Sequence, residues 1–257
     1  MNALEYFANY INTSSRIIEL LAQLPESLDL SMVVRAWEKG GLLAPAWKDG
    51  TLDRAWINVV AHQAATAVLA YKLCRLIERE LASEGTAIED VIIAALIHDA
   101  PKRLELEMHK VKKTAGQNGF DNVNRDTERF SSAFFAELGF SELVVSIAVT
   151  TGNVGLDRII AGKASLGQKL VFYADCCVSG DRIVGYEKRF DDVRKHFEPR
   201  GQYHWELELF LRKYGVTKWE TYDGVVLPLQ EKLARLIGFQ GNPNDLHTHL
   251  VPIASLM

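Results

Sequence analysis

No stretch of this chain is apolar for long enough to cross a bilayer. The seven-residue run Val91–Ile97 falls far short of the roughly 20 residues a spanning helix needs. An excess of positive charge is missing as well. Against 29 Lys and Arg stand 33 Asp and Glu, a net charge of −4, which argues against a protein that grips nucleic acid through bulk charge. Cysteine is scarce: Cys74, Cys176 and Cys177 are odd in number, two are adjacent, and no framework spacing is present. That pattern excludes a disulfide scaffold and fits a reducing compartment. The first residues, Met1 to Tyr6, lack the basic region and apolar run of a signal peptide, so the cytoplasm is expected. Internal repeats, low-complexity tracts and convincing strand alternation are absent too.

What remains is a chain that should fold around a substantial core: 257 residues, 48% apolar and 24% charged. Apolar residues recur at helical spacing nearly throughout, so an all-α fold is expected. Helices are read at Leu4–Leu24, Leu28–Trp37, Asp126–Leu138, Ser141–Thr150, from about Leu166 to Cys177, Asp181–Phe197, Tyr203–Tyr214 and Leu227–Gly238. A long one is expected from an Asp53 N-cap to about Ser83. Leu42–Leu52 reads as a loop, Gly116–Asn124 as a mobile loop and lid, and the segment from Gly241, with His247 and His249, as an ordinary extended terminus. Residues 1–52 are taken as N-terminal helices packed on a core of 53–200, with 201–257 as C-terminal helices and tail, one domain overall.

The organising stretch is Val91–Arg103. Thr86 and Glu89 match a capping box just ahead of an apolar helix. That helix ends in His98 and Asp99, and Pro101 then disfavours helical geometry at Ala100. Two adjacent polar, metal-capable side chains at the end of a buried helix need partners. Candidates lie elsewhere in the chain: His62 amid small residues of the long helix, and Asp175 inside a late apolar helix. Taken singly, each has a plain structural reading. His62 reads as a satisfied core histidine, Asp175 as the partner of Arg182 or another arginine, and Lys102, Arg103 and His109–Lys113 as a solvated surface. Taken together, two imidazoles and two carboxylates suit a hard-to-borderline divalent ion with open positions for water and substrate.

This H…HD…D pattern, each member on a predicted helix, resembles the HD-domain superfamily of metal-dependent phosphohydrolases over roughly residues 54–197. The resemblance implies an HD-domain-like helical bundle with extra N- and C-terminal helices. It makes His62, His98, Asp99 and Asp175 the metal ligands. His98, Asp99 and Lys102 are similar to the HD-x-x-K form, which implies that Lys102 lies beside the substrate phosphate and that Asp99 and Lys102 are catalytic. Two departures matter. Between Asp99 and Asp175 the only histidine is His109, with Thr150–Gly152 where another is expected, so one metal is implied rather than two. The small 5′-nucleotidase members carry Glu where Lys102 stands, so their general acid does not transfer.

The implied activity is hydrolysis of a small-molecule phosphomonoester or phosphodiester, a nucleotide foremost, by metal-activated water. The cofactor is a single divalent ion, drawn from Mn²⁺, Co²⁺, Ni²⁺, Zn²⁺, Fe²⁺ and Mg²⁺. Lys102, Arg103 and Lys110 are the candidate phosphate-binding cations, with Lys112 behind them, and Asp181 or Glu105 are candidate proton relays that no motif anchors. Two alternatives stand: a non-catalytic, nucleotide-binding regulatory module, and an iron-dependent oxygenase, against which the missing histidines count. Neither a membrane nor a nucleic acid is an expected partner, and a homodimer through the N-terminal helices or the tail is left open.

Overall fold

The computed structural model describes residues 15–44, 46–48, 51–53, 56–114, 120–197 and 204–251, without the side chains of 46–48, 51–53, 109–114, 120–125, 154, 196–197, 204–207 and 209. The fold is all-α, with two antiparallel two-stranded hairpins. In order, α1 is Ser15–Leu21 and α2 Ser31–Lys39. The strands β1 (Ala46–Lys48) and β2 (Thr51–Asp53) follow, then α3 (Ile57–Leu76), α4 (Glu78–Ser83), α5 (Ile88–Ile97), α6 (Lys102–Thr114) and α7 (Phe120–Glu137). Next come α8 (Glu142–Ala148), α9 (Gly152–Ile160), α10 (Leu166–Cys176), β3 (Val178–Ser179), β4 (Arg182–Ile183) and α11 (Tyr186–Phe197). The chain continues with α12 (His204–Tyr214), α13 (Lys218–Leu236), a 3₁₀ turn at Pro243–Asp245 and α14 (Leu246–Leu250).

The centre of the molecule is α3. Every residue from Val60 to Ala70 is buried, so that stretch of the helix has no solvent face. Its alanines, Ala61, Ala64, Ala65, Ala67 and Ala70, let α1, α5 and α10 approach closely. One continuous apolar core runs from Ile17 to Val251. Among the described residues no helix is long and apolar enough to cross a membrane.

Several boundaries differ from the sequence reading, each for a local reason. Asp53 does not cap α3, because it is the last residue of β2 and pairs with Ala46. The expected loop Leu42–Leu52 thus contains most of a hairpin. The helix expected to reach Ser83 breaks at Ile77 (φ −128°, ψ 32°), whose side chain is fully buried. Thr86 does not cap α5. Its methyl group packs beside Gly167 in the groove against α10, so Ala87 takes the N-cap place and Asp90, rather than Glu89, accepts from the Ala87 N–H at 3.2 Å. The proposed lid is helical from Phe120 to Asn124, the start of α7, and its residues 116–119 lie outside the described ones. Asn and Asp each cost a helix only a few tenths of a kcal/mol, roughly 0.7 at most, and Phe134 and Phe135 further along bury the same helix.

Helices α6 and α9 were not foreseen. Nor was the first half of α13, which starts at a Thr217–Glu220 capping box and runs through an exposed Pro228. The tail is not extended up to Val251. Leu246, Leu250 and Val251 are buried, and the His247 ring lies where a Cβ on Gly185 would stand, at 2.5 Å.

A second close approach fixes the site. A Cβ on Gly40, just past α2, would sit 2.0 Å from the Ala100 carbonyl oxygen. Gly40→Ala is therefore expected to push the Asp99–Pro101 turn away and to cost about 3 kcal/mol, the upper end of ordinary overpacking. Urea denaturation reads this directly, and an unchanged midpoint would rule the contact out as a constraint.

Candidate metal centre

A helix ends with carbonyl groups that lack partners within the helix. At the end of α5 three of them are met from close by. The Ala100 N–H donates to Ile97 O (2.7 Å), the fully buried Trp37 donates its indole N–H to Leu96 O (2.8 Å), and His98 Nδ1 stands 2.8 Å from Ala95 O. A carbonyl can only accept, so Nδ1 carries the proton and Nε2 is the free end of the ring. The helix terminus thereby sets the tautomer and the direction of His98. Its Nε2 is buried and has no hydrogen-bond partner among the described residues.

Around that atom the fold gathers the other candidates. The metal-capable atoms of His62, His98 and Asp99 all lie within 4.8 Å of one another. Asp175, from α10, accepts from His62 Nε2 at 2.9 Å and places the same oxygen 3.6 Å from His98 Nε2, an ion-pair separation rather than a hydrogen bond. The other acid, Asp99, sets one oxygen 4.0 Å from His98 Nε2 and the other 3.4 Å from Lys102 Nζ. The two imidazole rings meet edge to face, with centroids 5.4 Å apart. Of these side chains His98 is 1% exposed, His62 11%, and the two acids about a quarter each. The arrangement is therefore sealed on the histidine side and open on the carboxylate side.

Charge follows from this packing. Burial opposes charge on His98, but Asp175 and Asp99 outweigh it and push its pKa up to about 9. Burial also works against ionising the two acids. The histidines nevertheless hold Asp175 well below the usual carboxylate range, and Lys102 with His98 holds Asp99 below it. Asp99 in turn raises the Lys102 ammonium, so the lysine stays charged.

No protein-family model, no curated protein and no solved structure matches this chain.

The donor set fits one divalent ion. The metal-capable atoms of His62 on α3 and of His98 and Asp99 in the turn after α5 converge, Asp175 of α10 reaches both histidines, and the buried His98 Nε2 makes no hydrogen bond among the described residues. The Ala95 carbonyl on His98 Nδ1 is the kind of outer contact that would orient a metal-binding histidine.

Other candidates are placed elsewhere. Arg103 donates to the Gly41 carbonyl (2.9 Å), faces Glu107 at 3.6 Å and lies 6.0 Å from the Trp56 ring. It braces the N-terminal turn and is not part of the cluster. The side chains of Lys110 and Lys112 lie outside the described residues. Asp181 sits in the turn between β3 and β4, with no hydrogen bond or ion pair to the cluster among the described residues. Glu105 is buried, accepts from Ser131 Oγ at 2.5 Å, and is raised by burial against the pull of Lys102. Asp175, which taken singly read as the partner of Arg182 or another arginine, meets the two histidines. Sequence reasoning missed Arg189 and Lys218, which line a pocket of about 120 Å³ that Asp175 also borders. The one available signal was Thr217–Glu220, which marks a helix start at Lys218.

Proposed function

We propose that this protein is an HD-type, metal-dependent phosphohydrolase that holds one divalent ion on His62, His98, Asp99 and Asp175. Its substrate is a small phosphomonoester or phosphodiester, nucleotides being the first class to try. The observation that carries the reading is the buried His98 Nε2, which makes no hydrogen bond among the described residues and faces two carboxylates and a second imidazole. A histidine kept only for packing would have its second ring nitrogen hydrogen-bonded rather than held 3.6 and 4.0 Å from two carboxylates. A divalent ion on these residues supplies Lewis acidity toward a phosphoryl oxygen and a water acidified for attack at phosphorus.

The chain's own contribution is positional and electrostatic. The α5 terminus fixes the face that His98 presents. Lys102, permanently charged and 43% exposed, stands on the open side against Asp99, where it can neutralise charge that builds on a phosphoryl group.

The test is turnover of p-nitrophenyl phosphate, bis-p-nitrophenyl phosphate and a panel of nucleoside 5′-monophosphates with each candidate ion. Activity should need the ion, vanish with a chelator and be lost in His98→Ala and Asp99→Ala. In Lys102→Met it should fall about 100-fold or more, the scale of losing one transition-state donor, with the bound metal retained. A wild-type chain that takes up none of the ions would overturn the proposal. Nucleotide binding without product would replace it by a non-catalytic module.

A further inference from the structure

We infer that the pocket between α10, α11 and α13, which Asp175 borders, is the seat of a phosphate-class oxyanion held by Arg189 and Lys218. This rests on the hydrolase reading for its purpose and deepens it, since it names the group by which substrate is gripped.

The lining is selective in charge. It contains two cations, Arg189 and Lys218, and one carboxylate, Asp175, whose oxygen is already engaged by His62 and His98. Lys218 is only 8% exposed, an expensive place for an ammonium. The faces of Trp219 and Tyr222, at 5.5 and 5.9 Å from its Nζ, offset part of that cost. Two helices also begin at this pocket: Gly152 is the first residue of α9 and Lys218 the first of α13. Their backbone dipoles present positive ends to the same volume.

The pocket, about 120 Å³, has room for a tetrahedral oxyanion. It takes the phosphoryl end of a substrate, whose organic part extends outward past the partly exposed Trp219. Because Asp175 borders the pocket and also touches both histidines, an oxyanion seated there lies directly beside the metal cluster.

The experiment is calorimetric titration of inorganic phosphate, with AMP and adenosine alongside, into the metal-free and the metal-loaded full chain. The wild type is compared with Arg189→Gln, Arg189→Lys and Lys218→Gln. Lys188→Gln serves as control, since that lysine is exposed and pairs with Asp192. Phosphate and AMP should bind in both states, and adenosine should not. Arg189→Gln and Lys218→Gln should each weaken phosphate about tenfold or more, the worth of one charge-assisted hydrogen bond. Metal content should be unchanged, and Arg189→Lys should recover part of the loss. If Lys218→Gln does not fold, the two Arg189 variants carry the test. No phosphate binding by the wild type, or equal binding by Arg189→Gln, would overturn the subsite. Turnover intact in every variant would leave the hydrolase reading standing without it. Phosphate binding lost in the variants of a wild type that turns nothing over would keep the subsite and remove the hydrolase.

Discussion

Asp175→Asn is expected to leave a folded chain that no longer keeps its divalent ion. The substitution preserves shape, and the amide oxygen can still accept from His62 Nε2, now 2.9 Å from the carboxylate. What disappears is the negative charge that faces both histidines. Altering groups that merely orient a metal ligand costs about 10- to 100-fold in affinity, so losing a ligand charge should cost at least ~100-fold. Two measurements check this. Mass spectrometry of the reconstituted proteins should find about one ion per chain in the wild type and a trace in the variant. Thermal or urea denaturation should show the wild type gaining about 2.7 kcal/mol when the ion is present at a hundred times its dissociation constant, with almost no gain in the variant. Equal metal uptake by the two proteins would make Asp175 a structural acid and take the cluster apart.

Much of this site was legible because each member breaks the rule of its surroundings. His62 sits in a stretch of helix that is buried on every side, and Asp175 interrupts an apolar helix. His98 and Asp99 close a run of seven apolar residues. A polar group in such a place is a question that sequence alone poses, and the fold answers it by bringing three of the four within 4.8 Å and the fourth against both histidines.

The all-α class was legible for a related reason, since helical spacing survives wherever one face is buried. What could not be read were contacts set by tertiary packing. Trp37 reaching Leu96, Gly40 under Ala100, Arg103 turned to Gly41 and the Thr86 methyl spent beside Gly167 leave no periodic trace. Arg189 and Lys218 are ordinary cations in the sequence, and they matter only because α11 and α13 set them beside Asp175.

Proton release on metal binding is the second large effect. In the metal-free chain the His98 pKa is pushed up to about 9, burial being outweighed by Asp175 and Asp99. The folded value lies above the ordinary 6.5, so protonated His98 stabilises the metal-free protein. That contribution is complete below about pH 6.5 and is lost as pH rises through about 9. A cation on Nε2 needs the same proton to leave, because Nδ1 is held by the Ala95 carbonyl. The two dependences therefore oppose each other. Urea denaturation of the chelator-treated chain should show stability falling between neutral pH and pH 9. Metal affinity should rise over that interval by about tenfold per pH unit, one proton per ion. Calorimetry at neutral pH in buffers of different ionisation enthalpy counts that proton directly. A release near zero would mean that His98 is already neutral when metal-free, and the two carboxylates would then not be close enough to its ring to govern it.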